Sequence, residues 1–220
     1  GFCAVQTGRP TEHDLDEPDK VARAVQQMGR KFAVVTSVNR DELADGGAGI
    51  FARTIRAIRR DNPGCGVEVL IPDFRGDPAA LDVVFDERPE VLNHNTETVP
   101  RLYRKVRPQA RYVRSLRVLR RAAMRGLRVK SGLMLGLGET HDELQPVFED
   151  LAAAGVQVLT LGQYLQPTPQ HLPMDRYVPP EEFALLRERA LGAGIEHVEA
   201  GPLVRSSYHA REHAGLVPSR

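Results

Sequence analysis

The chain has no tryptophan and only two cysteines, Cys3 and Cys65, in 220 residues. Two thiols do not make the disulfide framework on which small secreted domains depend, so a cytoplasmic protein is expected. No apolar run is long enough to cross a bilayer, and no signal peptide is expected at the amino end. Aromatic residues are 5% of the chain, too few to interleave with its basic residues as a nucleic-acid surface requires. The net charge of +1 excludes a polyelectrolyte. No Gly-x-Ser-x-Gly elbow surrounds Ser206 or Ser207, which argues against a serine hydrolase. An initiator methionine is also missing, and a fragment or trimmed chain is the expectation.

What is present alternates. Helices are expected over 19–29, 48–60, 78–86, 101–105, 112–125, 141–154 and 180–191, from apolar stripes with Pro and Gly at their ends. Strands are expected over 31–38, 67–71, 91–95, 127–135, 156–161 and 195–200, from compact apolar and β-branched runs. Strand 31–38 reads as buried. Short connections between alternating strands and helices predict an α/β fold with a parallel sheet. One domain is expected over residues 1–210, with a tail at 211–220.

In folds of this kind, sites lie at the carboxyl ends of the strands. Five such ends are polar or rich in glycine. Asp45-Gly46-Gly47 opens a helix, and reads equally as a capped turn or as bare backbone that a small polar ligand can approach. Gly136-Leu137-Gly138-Glu139-Thr140 is equally ambiguous, since Thr140 and Glu143 stand at the positions of a capping box. Asn93, Asn95 and Glu97 fall on one side of a strand end by their period of two. Burying three polar side chains there is costly unless something bonds to them, which favours ligand contact. His94 points the other way and reads as structural. Arg205-Ser206-Ser207-Tyr208 follows the last strand. Cys3 alone reads first as a small buried hydrophobe and second as an iron ligand.

Residues 101–138 contain no Asp or Glu. Arg111, Arg114, Arg117 and Arg121 recur there at helical spacing, beside an apolar stripe of Tyr112, Leu116, Leu119 and Ala123. The usual reading is a solvated face. The sharper one is a docking patch for an acidic partner or, as the weaker choice given the few aromatics, nucleic acid.

Taken together these loops resemble the lipoyl synthase family of radical S-adenosylmethionine enzymes. The resemblance rests on Val35-Thr36-Ser37-Val38-Asn39-Arg40-Asp41, Asp45-Gly46-Gly47-Ala48, Asn93-His94-Asn95 with Glu97, and the run from Lys130 to Thr140. It also includes Leu161-Gly162-Gln163-Tyr164-Leu165-Gln166-Pro167-Thr168 and Val204-Arg205-Ser206-Ser207-Tyr208-His209-Ala210. The fold it implies is a partial (β/α)6 TIM-type barrel with its first strand missing. The activity it implies is radical insertion of sulfur at carbons 6 and 8 of an octanoyl group borne on a lysine. The implied cofactors are S-adenosylmethionine and two [4Fe-4S] clusters. Cys3 matches the third cysteine of the loop that holds the first cluster, and Ser207 matches a serine ligand of the second. Asp45, Gly46 and Gly47 would face the methionine end of S-adenosylmethionine. Asn93, Asn95, Glu97, Gly136 and Gly138 would line its ribose and radical pocket, and Arg205 would help hold the second cluster. Implied partners are octanoylated lipoyl domains of 2-oxoacid dehydrogenases, the glycine-cleavage H protein, and a reductant such as ferredoxin or flavodoxin. The other expected cluster cysteines are absent from the sequence, so the 220 residues alone are expected to be inactive. The alternatives are another radical enzyme of the same barrel and a carrier-binding homologue without clusters.

Overall fold

The computed structural model describes residues 2, 14, 16–38, 40 and 42–215. Within these lie six strands, which pair side by side in chain order and are parallel throughout. They are β1 (Phe32–Thr36), β2 (Gly66–Leu70), β3 (Val91–Asn93), β4 (Val129–Leu135), β5 (Val158–Gln163) and β6 (His197–Gly201). The helices are α1 (Glu17–Gln27), α2 (Ala48–Asp61), α3 (Pro78–Phe85), α4 (Tyr103–Val106), α5 (Tyr112–Met124), α6 (His141–Ala153), α7 (Pro180–Gly192) and α8 (Ala210–His213). Each strand except the last is followed by helix before the next begins, as the sequence pattern predicts.

The strands β2 to β5 are almost wholly buried, which accounts for their continuous apolar runs. Strand β1 departs from the expectation: it is half-buried, because among the described residues it stands at the sheet edge with β2 as its one neighbour. Strand β5 also runs two residues past its expected end at Leu161, to Gln163. Helix α6 starts with the full capping box, Thr140 Oγ1 accepting from the Glu143 amide and the Glu143 carboxylate accepting from the Thr140 amide.

The inward face of the sheet carries polar side chains below the carboxyl ends of the strands. Asn93, Lys130, Val158 and His197 share one level by register. Lys130 Nζ lies 3.2 Å from Glu68 Oε1 of β2, with both side chains fully buried. Asn93 Nδ2 donates to Glu68 Oε1 at 2.9 Å. Helix α8 places His213 here, with its Nδ1 3.3 Å from Lys130 Nζ. His213 is 1% exposed: α8 starts at Ala210 and turns this side chain inward, within the stretch where the sequence suggested a tail.

Candidate active site

A cavity of about 340 Å³ opens at the carboxyl ends of the strands. Its floor is made by inward positions of β4 and β5: Gly132, Met134, Thr160 and Gly162. Two of these are glycines for a steric reason. A Cβ on Gly132 would stand 2.8 Å from both Asn95 Oδ1 and Thr160 Oγ1, and one on Gly162 would stand 2.4 Å from the Val204 carbonyl oxygen. Sequence reasoning did not select these floor residues. The available signal was glycine inside a strand, which marks close approach of a ligand or another backbone.

The wall comes from the segment that leaves β3. Asn95 and Glu97 both line the cavity. Asn95 Nδ2 donates to Ser206 Oγ at 3.2 Å, while its buried Oδ1 has no partner among the described residues. Glu97 holds a left-handed backbone with φ 67°. Its amide donates to the Gly132 carbonyl at 2.9 Å and its carbonyl accepts from the Met134 amide at 2.8 Å, so a short pairing with β4 fixes it. Burial pushes the Glu97 carboxyl above the usual carboxylate range, against the pull of Arg107 and the Asn95 amide. Arg107 and Tyr103 grip the same segment from outside. The guanidinium donates to the Asn95 carbonyl at 2.9 Å, and the Tyr103 hydroxyl donates to the Thr96 carbonyl at 2.8 Å.

The loop after β6 forms the opposite lip. Val204, Arg205 and Ser206 line the cavity, and Arg205 is braced by its own donation to the Val204 carbonyl at 2.6 Å. Ser207 lies on the following turn and is exposed, so within this motif it is Ser206 that meets Asn95. At the start of the chain Phe2 reaches the cavity. Cys3 lies outside the described residues. Cys65 sits just before β2, at the far end of the strands, and burial pushes its thiol up.

Other residues selected from sequence bond locally. Asn93 belongs to the interior layer below the cavity, paired with Glu68. His94 is structural as expected: Nδ1 meets the Ile71 carbonyl at 2.9 Å and Nε2 meets Ser115 Oγ at 3.0 Å. The Asp45 carboxylate accepts from the amides of Gly47 and Gly49 at 2.9 and 2.7 Å, tying the loop to the start of α2. Gly46 and Gly47 hold positive φ against Phe74 and Arg40. The Gly136 amide donates to Glu139 Oε1 at 2.6 Å, so the Gly136-x-Gly138 loop closes on its own carboxylate. Both glycine loops leave carboxyl ends of strands, and none of their glycines is among the described residues that line the cavity.

The radical SAM superfamily pattern matches residues 1–151 of the chain. Among solved structures, Streptococcus suis SuiB bound to S-adenosylmethionine superposes with a TM-score of 0.69 at 9% identity, covering 90% of this chain and 46% of that one. Methylornithine synthase superposes with a TM-score of 0.65 at 15% identity, covering 99% and 77%. The family match over residues 1–151 defines a radical S-adenosylmethionine domain, whose cofactors are S-adenosylmethionine and a [4Fe-4S] cluster. Within that class the sequence is close to one enzyme. The lipoyl synthase of Rubrobacter xylanophilus is 61% identical over 214 residues, covering 96% of this chain and 67% of that protein. The lipoyl synthase of Koribacter versatilis is 58% identical over 216 residues, covering 97% and 71%. The chain belongs to the lipoyl synthase family, the radical enzymes that insert sulfur to make the lipoyl group. Among the described residues, no helix is long and apolar enough to cross a membrane.

Proposed function

We propose that the rim cavity receives S-adenosylmethionine, with Asn95 and Glu97 as its principal polar contacts. The observation that carries this reading is the Asn95 side chain. Its amide nitrogen donates to Ser206, while its carbonyl oxygen is buried above a glycine and has no partner among the described residues. An orphaned buried acceptor costs roughly 1–3 kcal/mol, and a ligand with hydroxyl or amino donors removes that cost. Glu97, whose carboxyl burial pushes up, lines the cavity beside Asn95 and offers such a ligand a second polar contact. The cavity fits a polar organic molecule in volume and chemistry.

S-adenosylmethionine with its cluster supplies the radical chemistry when bound. The chain's own residues orient and shield. Met134 and Leu133 give the cavity an apolar surface, which suits an alkyl chain entering beside the polar contacts. In the same reading Asp45, Gly46 and Gly47 close the methionine side, Gly136 and Gly138 shape the ribose side, and Asn93 supports Asn95 from below. Cys3 is the ligand these residues offer the first cluster. Arg205 and Ser207 serve a second cluster that supplies sulfur. The substrate is an octanoyl group on the lysine of a carrier, a lipoyl domain or glycine-cleavage H protein, and a small electron-transfer protein provides reducing equivalents.

Isothermal titration of the chain with S-adenosylmethionine tests the central assignment. The changes Asn95→Ala and Glu97→Ala should each weaken binding roughly tenfold, the ~1.4 kcal/mol expected of one buried polar contact. Affinities equal to the unaltered chain would remove both residues from the site.

A further inference from the structure

A second concavity, of about 590 Å³, lies on the outside of the barrel between α3 and α5. Five of its lining residues are arginines: Arg75, Arg111, Arg114, Arg117 and Arg121. None of the described lining residues is acidic or aromatic. The arginines fall into two groups. Arg114 and Arg121 are half-buried and held, Arg114 Nε at 2.6 Å from Asp73 and Arg121 at 2.6 Å from Asp82. The guanidiniums of Arg111 and Arg117 are exposed and bond to nothing among the described residues. Between them Val113 is 58% exposed, above a floor of Leu81 and Val118.

The position of this groove is as informative as its charge. Arg75 lies on the short turn Phe74–Gly76 that leaves the carboxyl end of β2, whose last residue, Leu70, lines the cavity. Arg111 caps the start of α5, on the connection that leaves β3 after Asn95 and Glu97. The Arg114–Asp73 bond joins α5 to that first turn. The groove therefore begins at the same rim as the cavity and runs down the outer wall. A substrate tethered to a folded domain needs such an arrangement: the domain rests beside the mouth while its arm reaches inside, and tethering raises the arm's local concentration.

We propose that this groove is the docking face for an acidic protein domain that carries the acyl-lysine arm, an inference that rests on the carrier reading above. Carboxylates on the domain pair with the two unpartnered guanidiniums, Arg being the cation best shaped for bidentate carboxylate contact. The paired arginines keep the wall rigid, and Val113 supplies the apolar contact at the centre. A nucleic acid is the weaker occupant, since no aromatic side chain is present for bases to stack on.

The test is a fluorescence-anisotropy titration with a purified octanoylated lipoyl domain, in low and in physiological salt. A free octanoyl-lysine peptide and a short DNA duplex are titrated beside it. The double change Arg111→Glu and Arg117→Glu should weaken domain binding at least tenfold in low salt, with a smaller loss once salt screens the charges. Peptide binding should stay unchanged. A control of equal charge change far from the groove, Arg23→Glu with Arg30→Glu, should bind the domain like the unaltered chain. Circular dichroism checks that both variants are folded. Undiminished domain binding by the groove variant, an equal loss in the control, or DNA binding tighter than domain binding would each overturn the docking face. If the domain ignores the reversal while the peptide still binds, the groove falls and the carrier reading stands. If the unaltered chain binds neither domain nor peptide, both fall.

Discussion

Gly162 leaves no room for a methyl group. Its missing Cβ would sit 2.4 Å from the Val204 carbonyl oxygen, and backbone cannot turn aside as a side chain does. The loop after β6 thus lies directly against β5, which brings Ser206 within reach of Asn95. Gly162→Ala should cost about 1–3 kcal/mol, the usual penalty for overpacking, as read from a shifted urea midpoint. A midpoint equal to that of the unaltered chain would mean that the loop is free to move aside. At this scale part of the candidate site was legible in the sequence. The period of two in Asn93, Asn95 and Glu97 put them on one face, and the structure places Asn95 and Glu97 at the cavity. Gly162 read only as the first residue of the loop after a strand ending at Leu161, because its role depends on a carbonyl 42 positions later in the chain, and no local pattern announces that.

Helix α8 is held by a contact with the interior of the barrel. His213 meets Lys130, and Lys130 meets Glu68, with all three side chains buried. Burial works against both charges of the pair, pushing Glu68 up and Lys130 down, and their attraction opposes it. Such a pair adds little net stability, but leaving one partner alone is costly, about 3–5 kcal/mol. Lys130→Met should therefore destabilise by roughly that amount. Adding Glu68→Gln removes the stranded charge and keeps an acceptor for Asn93, so the double variant should be more stable than Lys130→Met alone. Urea unfolding of all four members of the cycle gives the coupling, and simple additivity would show that the two charges do not interact. Most elements were predictable from apolar stripes and capping residues. The exception is α8, a single turn of Ala210–His213 without a stripe of its own. Its partner in the barrel is 83 residues away, so a reading by local periodicity leaves it as a tail.

For the molecule as a whole, these buried groups set the response to acid. His94 is held down to about 4, first by burial and then by Arg107, with Arg114 also against its charge and the Ile71 carbonyl and Asp73 in favour. His213 is held down to about 3 by burial, then Lys130, His197, His209 and Arg128. Both depressions have the same sign. The unfolded chain takes up these protons near the ordinary histidine value of 6.5 and the folded chain does not, so stability is full above 6.5 and falls as pH drops toward 4 and 3. Glu143, held to about 2 by Arg101, and Glu182, held to about 2 by Arg176 and His141, extend the loss between 4.5 and 2. Glu68 and Glu97, raised by burial, act in the opposite sense, because the fold favours their protonated forms. The histidine contribution can be isolated by difference. The stability gap between the unaltered chain and His213→Gln, from urea unfolding at pH 7.5, 6.5, 5.5 and 4.5, should be constant above 7. Below 6.5 it should shrink by up to about 1.4 kcal/mol per pH unit, the limit for one proton. Contributions from the carboxylates are common to both chains and cancel. A gap that stays constant down to pH 4.5 would mean that His213 titrates alike in the folded and unfolded chain, and that α8 does not hold it out of water.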